Sequence, residues 1–321
     1  MHIIKELDNV LKTGIGIEKN IALELINYND LKTLLLYANK IREKYIGDYI
    51  DLCTIMNVKS GNCSEDCKFC AQSSKYNTNI DTYKLLTLDK ILKQACKIDS
   101  QKVDRFSLVS SGKNLNNNDL NKLEEIYKNL KTNTDLKLCA SFGLLKKDQA
   151  IRLKNSGVIR YHHNIETSMD NYINICTTHT YNDRLSTINN AKDAGLEICC
   201  GGIWGLGETN EQRIQMAYEI KEINPTTIPI NILNPIKNTE FENKKILCVD
   251  TILRYFAIYR FILPKKRIKI AGGRSALKNN DIKLLQGGVD SILTGDFLTT
   301  IGSNIALDKS KLDELNLKYK I

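Results

Sequence analysis

Proline is scarce, with four residues in a chain of 321. So few argue against a Pro-rich hinge between folding units. No exact repeat, linker or low-complexity segment divides the chain either. Long hydrophobic runs are also missing. A membrane-spanning helix needs about 18 or more apolar residues in succession, and no such run occurs. A secretory leader would open on a basic stretch followed by an apolar one, and the first residues show neither. The expected location is the cytoplasm, with no membrane partner. The net charge is +9. The lysines are scattered among Asn, Asp and Ile, with only short clusters such as Lys265-Lys266-Arg267. No continuous basic face is legible, so a nucleic-acid partner is not expected and the charge reads as a solvated surface. A glycine-rich stretch, Gly201-Gly202-Ile203-Trp204-Gly205-Leu206-Gly207, does not follow the spacing that cradles a dinucleotide.

Cysteine is plentiful, at ten residues. Cys63, Cys67 and Cys70 stand within eight residues, spaced C-x3-C-x2-C, and the rest of the chain is organised around them. In a cytosolic-looking chain such a cluster reads as metal ligands or redox groups. A structural zinc knuckle fills four positions with two close ligand pairs. No Cys or His follows within twenty residues of Cys70, so the fourth ligand of a knuckle is missing. Three thiolates hold three irons of a cubane 4Fe–4S cluster and leave one iron open. An open iron can bind a small chelating ligand and pass it an electron.

Apolar periodicity gives the architecture. Residues 1–46 read as helical, with Ile21, Leu25, Leu31, Leu35, Ala38 and Ile41 on helical spacings and Asn29 or Asp30 as a cap. Beyond them short apolar runs alternate with amphipathic helices. The strands are expected at 51–56, 105–110, 136–141, 158–164, 196–203, 227–233, 267–271 and 289–293. The helices are expected at 88–98, 120–130, 147–155, 181–194, 210–223, 246–263 and about 282–286. Eight strand–helix units imply an α/β fold with a parallel sheet closed into a TIM-type (β/α)8 barrel. The expected division is an N-terminal helical extension over 1–46 and the barrel over 47–321. Barrel active sites form at the C-terminal strand ends. The unusual residues fall there: the cysteine loop, Ser107, Cys139, Asn164, Cys199, Cys200, Asn231 and Arg274.

The cysteine loop resembles that of the radical S-adenosylmethionine (SAM) superfamily. The wider stretch, Asn57-Val58-Lys59-Ser60-Gly61-Asn62 through Cys70-Ala71-Gln72-Ser73-Ser74-Lys75-Tyr76, resembles the biotin synthase family within it. The resemblance covers about residues 40–300 in several dense blocks. It implies that SAM chelates the open iron and is cleaved to methionine and a 5′-deoxyadenosyl radical. The implied reaction is sulfur insertion at C6 and C9 of dethiobiotin by a radical SAM sulfurtransferase, with flavodoxin or ferredoxin as electron donor. A homodimer is the expected assembly. No catalytic side chain is expected beyond the clusters, because the cofactor carries the chemistry.

The resemblance also implies a second, auxiliary cluster deep in the barrel, usually 2Fe–2S, held by three cysteines and an arginine. The matching positions are Ser107, Cys139, Cys199 and Arg274. Ser107 departs from the family's cysteine, and a serine alkoxide is a much poorer iron ligand than a thiolate. Three arrangements stay open: Ser107 ligates weakly, Cys200 or Cys176 substitutes, or the cluster is of another type. Cys176, on a loop, is the favoured substitute, since Cys200 beside Cys199 in a strand points the other way. A guanidinium is normally protonated and not an electron-pair donor, so Arg274 as an anion anchor is the alternative to Arg274 as a ligand. Asn164, Glu166, Arg184, Gly201, Gly202 and Asn231 match positions that bind SAM or substrate, with Glu166 standing where the family commonly has Asp. His162 and His163 read as packing. The nearest rival is another adenosyl-radical enzyme on the same barrel, of the hydrogenase or pyrrolysine maturation type, sharing the cysteine loop without the auxiliary set.

Overall fold

The computed structural model describes residues 2–295 and 303–321. Three helices come first: α1 (His2–Thr13), α2 (Lys19–Glu24) and α3 (Leu31–Tyr45). Asp30 caps α3 by accepting a bond from the Thr33 amide at 2.9 Å. The α3 helix lays its buried stripe, Leu34, Ala38 and Ile41, toward the core.

The barrel then follows as β1 (Asp51–Lys59), α4 (Leu88–Ser100), β2 (Arg105–Ser110), α5 (Asn117–Asn133), β3 (Lys137–Ser141), α6 (Lys147–Asn155) and β4 (Arg160–His162). It continues with α7 (Met169–Tyr172), α8 (Tyr181–Asp193), β5 (Glu197–Cys199), β6 (Gly202–Trp204), α9 (Asn210–Ile223) and β7 (Thr227–Ile232). The last elements are α10 (Val249–Ile262), β8 (Arg267–Ile270), α11 (Asp281–Leu285), β9 (Ser291–Leu293) and α12 (Ile305–Glu314). All strand pairings are parallel. The sheet closes on itself, since β1 pairs with both β2 and β9, and β5 pairs with both β4 and β7. The expected TIM-type barrel is therefore present.

Several strands differ in length from expectation, as β4 does at Arg160–His162 against 158–164, but the expected strand 196–203 is broken. It is divided into β5 and β6, two segments of one stave. Both pair with β7, at Cys199 opposite Thr227 and Gly202 opposite Ile230. Between these contacts lies Pro229, which has no N–H to give the ladder. Gly201 sits against it so closely that a Cβ would lie 1.8 Å from the Pro229 carbonyl oxygen. Gly201→Ala should therefore force two strands apart and cost about 3 kcal/mol, read as a fall in Tm of several degrees. An unchanged Tm would refute this account of the break.

The outward faces of the strands are apolar and pack beneath the helices, as with Leu52, Phe106, Leu108, Leu138, Ile198, Ile228 and Ile268. The inward face is different. Its apolar part is a small separate group of Cys53, Ala271 and Leu293 with Ile55 against it. A barrel interior is usually filled by layers of branched side chains. Here polar and sulfur-bearing groups face inward and leave a cavity of about 290 Å³. No helix among the described residues is long and apolar enough to cross a membrane.

Candidate active site

The cysteine loop leaves the end of β1 through Gly61 and Asn62, at φ of 74° and 51°. Both lie in the left-handed region that glycine and asparagine tolerate. The loop is closed by its own backbone. The Cys63 amide donates to Gln72 O at 3.0 Å, the Ser74 amide to Cys63 O at 2.8 Å, and the Cys70 amide to Cys67 O at 3.0 Å. Asp66 ties it to the segment after α7, accepting from the Thr177 amide at 2.9 Å and the Thr178 hydroxyl at 3.0 Å. Burial opposes ionisation of Asp66, but these bonds hold its carboxyl well below the usual range. Burial also pushes the Cys70 thiol up to about 11. All three loop cysteines are free and half-buried. Three thiols on one rigid loop fit a cluster with an open iron.

Beside the loop is a cleft of about 150 Å³, lined by Cys63 and Cys67 on one side and by Asn164, Glu166 and Arg184 on the other. Arg184 stands in the first turn of α8, which opens on a reciprocal cap between Thr180 and Asp183. Its guanidinium is buried. It donates to the Tyr172 hydroxyl at 2.5 Å and to Asn164 O at 2.9 Å, and lies 3.3 Å from the Glu166 carboxylate. Burial works against the Arg184 charge, and Glu166 restores it. Asn164 Nδ2 donates to Glu166 at 3.2 Å, and its Oδ1 accepts from the Gly201 amide at 3.1 Å. Glu166 has φ of 66°, a value uncommon outside glycine and concentrated at functional sites.

Gly201 and Gly202 do not line either space. Gly202 lets β6 close on Glu166, because a Cβ there would lie 2.5 Å from Glu166 O. Asn231 does face the central cavity, and bridges strand ends by accepting from the Gly272 amide at 2.8 Å and donating to Gly202 O at 3.2 Å.

The central cavity brings Ser107, Cys139 and Cys199 together with two residues that sequence reasoning missed, Cys53 and Lys269. All five are buried. Cys53 follows Asp51 by two positions in β1 and so shares its inward face. Lys269 is likewise two before Ala271. That alternation was the available signal. Burial pushes Cys53 up and Cys139 up to about 12, with Cys199 adding to the first shift and Cys53 to the second. Burial alone would lower the Lys269 ammonium, but Cys53, Cys199 and Asp51 together raise it above its usual value. The Ser107 hydroxyl is buried and has no hydrogen-bond partner among the described residues. Three thiols, two cations (Lys269 and Arg160) and an orphaned hydroxyl around one cavity fit a thiolate-held iron–sulfur group and are poor material for a packed core.

Two expectations about this cavity, those for Arg274 and Cys176, are corrected. Arg274 does not reach it. The chain turns away after β8, and Arg274 bonds Asp281 at 2.8 Å and Asp308 at 2.7 Å, together with Ser303 at 2.9 Å. Asp308 comes from α12, a helix that the sequence pattern did not reveal. Cys200 points away from the cavity into the apolar core, as its position beside Cys199 requires. Cys176 is not in the cavity either, because its Sγ lies 3.7 Å from Cys67 Sγ at the cluster loop. His162 and His163, read as packing, both line the cleft, and burial lowers His162 to about 4, keeping it neutral. His162, Asn164 and Glu166 line both spaces and form the wall between them.

Similarity to known proteins agrees with this geometry. The Radical SAM superfamily model matches residues 57–220, and the Biotin and Thiamin Synthesis associated domain matches 229–318. The biotin synthase of Clostridioides difficile is 53% identical over 294 residues, covering 92% of this chain and 90% of that protein. The biotin synthase of Campylobacter hominis is 48% identical over 318 residues, covering 99% and 98%. Among solved structures, methylornithine synthase superposes with a TM-score of 0.85 at 19% identity, covering 98% of this chain and 97% of that one. The FeFe-hydrogenase maturase of Carboxydothermus hydrogenoformans gives 0.82 at 19% identity, covering 99% and 79%. The two structures share the fold with this chain. The full-length relatives go further, and with the cysteine loop and the two adjoining spaces they place the chain in the biotin synthase family of the radical SAM superfamily.

Proposed function

We propose that this protein inserts sulfur between C6 and C9 of dethiobiotin to form biotin, acting as a radical SAM sulfurtransferase. The observation that carries the reading is the pair of adjoining spaces. One is bordered by the cysteine loop, the other is ringed by thiols, and His162, Asn164 and Glu166 separate them. When bound, a 4Fe–4S cluster on Cys63, Cys67 and Cys70 would supply the electron that cleaves SAM, and an auxiliary cluster on Cys53, Cys139 and Cys199 would supply sulfur. Cys53 takes the place that the family pattern gives to the residue at 107. Lys269 offsets the negative charge of thiolates held out of water.

The chain's own groups position the reactants. Arg184 presents a fork suited to a carboxylate, and Glu166 and Asn164 offer acceptors and donors to hydroxyl or amide groups. Asn231 lines the inner cavity for the substrate. The closed sheet and its apolar outer layer keep water from the interior. Flavodoxin or ferredoxin as electron donor, a homodimer, a cytoplasmic location and the division at residue 46 belong to the same reading.

Anaerobic reconstitution with an assay for biotin from dethiobiotin tests it. One cubane alone gives about four irons per chain, and two clusters give about six or more. Four irons and no biotin would favour another adenosyl-radical reaction on this barrel. Arg184→Ala is expected to weaken SAM binding by roughly 1–3 kcal/mol, the loss of a charge-assisted bond, measured calorimetrically on the reconstituted protein. Unchanged SAM affinity together with lost iron would place Arg184 with the metal instead.

A further inference from the structure

Cys176 and His179 belong to a short segment, Cys176-Thr177-Thr178-His179, between α7 and α8. Both are buried and turn toward the cysteine loop. Cys176 Sγ is 3.7 Å from Cys67 Sγ. The edge of the His179 ring lies against the same sulfur, with Nδ1 at 3.2 Å and Nε2 at 3.9 Å. The ligand atoms of Cys67, Cys176 and His179 all fall within 4.8 Å of one another. Tetrahedral zinc holds sulfur at about 2.3 Å, which sets two thiolates about 3.8 Å apart. The spacing of the two sulfurs matches that geometry before any ion enters.

The surroundings add a second observation. His179 Nδ1–H donates to the buried Glu65 carboxylate at 2.6 Å, which leaves Nε2, 3.9 Å from Cys176 Sγ, with its lone pair free for an ion. A carboxylate behind a histidine fixes its tautomer and ring orientation in metal sites. The two segments are also held together by other bonds, from the Thr177 amide to Asp66 at 2.9 Å and from the Lys68 amide to Ile175 O at 3.0 Å. Cys67 and His179 both border the outer cleft, so a solvated ion can reach them.

We propose that Cys67, Cys176 and His179 form a binding site for a zinc-type divalent ion in the cluster-free protein, with Glu65 orienting the histidine. The fourth position faces the cleft and is left to water. Cys67 cannot serve this ion and a cubane at once, so zinc occupancy opposes cluster loading. That consequence rests on the cubane reading of Cys67; the ion site does not.

The test uses the full-length, cluster-free protein under anaerobic conditions, with Co²⁺ as the probe. The expected result is one tight Co²⁺ per chain, with the visible bands of a tetrahedral ion and a thiolate charge-transfer band. Cys176→Ala and His179→Ala should lose that spectrum, and Cys63→Ala and Cys70→Ala should keep it. Glu65→Gln, which leaves all three ligands in place, should weaken binding by about 10- to 100-fold. Circular dichroism on each variant shows whether the fold is intact, and Cys176→Ser repeats the sulfur deletion with a near-isosteric side chain. If Cys63→Ala loses the spectrum and Cys176→Ala retains it, the ion sits on the cluster cysteines and the proposal is overturned. One equivalent of Zn²⁺ should then slow iron–sulfur reconstitution of the parent but not of Cys176→Ala. Tight Co²⁺ binding without that interference would leave the site standing and remove Cys67 from the cubane.

Discussion

Alanine at any one of Cys63, Cys67 or Cys70 is expected to abolish 5′-deoxyadenosine formation from SAM while leaving the barrel folded. The two halves of the expectation have separate causes. The loop keeps its shape through backbone bonds, such as those from Cys63 to Gln72 and from Ser74 to Cys63, and through Asp66 on Thr177 and Thr178. None of these uses a cysteine sulfur, so each variant should fold. A cubane with three protein ligands has none to spare, because the fourth iron must stay open for SAM. Losing one thiolate therefore removes function and does not grade it. The measurement is chromatographic detection of 5′-deoxyadenosine after reduction, with circular dichroism and iron content on the same samples. Retained 5′-deoxyadenosine in any of the three variants would remove that cysteine from the ligand set.

Much of this molecule was legible in its sequence where a local rule acts alone. The β2 strand and the α6 and α9 helices fall on their expected residues, because the apolar pattern is clear in each, Gly157 follows α6 and Thr209 caps α9. The cysteine loop was legible for the same reason, since its information lies within eight residues. Failures came where a distant partner decides. The resemblance assigns Arg274 to the auxiliary cluster, and its place after a strand end agrees with that. Its charge is instead satisfied by Asp281 and by Asp308 of α12. Cys176 was favoured as an auxiliary ligand because a loop residue has no strand face to forbid it. Only the fold shows that its loop packs against Cys67. Cys53 carries no signal of its own in the sequence, where one buried cysteine is usually packing. Its inward face becomes meaningful once closure of the sheet brings Cys139 and Cys199 to the same cavity.

Biotin formation should be lost in Cys53→Ala, Cys139→Ala and Cys199→Ala, with SAM cleavage retained in all three. The three thiols line the barrel cavity, while the cysteine loop and Arg184 border the outer cleft. The two activities should therefore separate. A soft iron prefers thiolate to alkoxide, and on the proposed reading Cys53 would supply the third thiolate that position 107 lacks. Ser107→Ala should accordingly keep its auxiliary iron and most of its biotin yield. Its hydroxyl has no partner among the described residues, so no bond is lost with it. Cys200→Ala and Cys176→Ala should keep the auxiliary cluster as well, since one side chain points into the apolar core and the other toward Cys67. Iron counting and Mössbauer spectra on the reconstituted variants read the result. The Cys53, Cys139 and Cys199 variants should fall from about six or more irons to about four, the cubane alone. If Cys53→Ala keeps its iron and its biotin while Ser107→Ala loses both, serine is the third ligand and the cavity's thiol triad is not the cluster cradle.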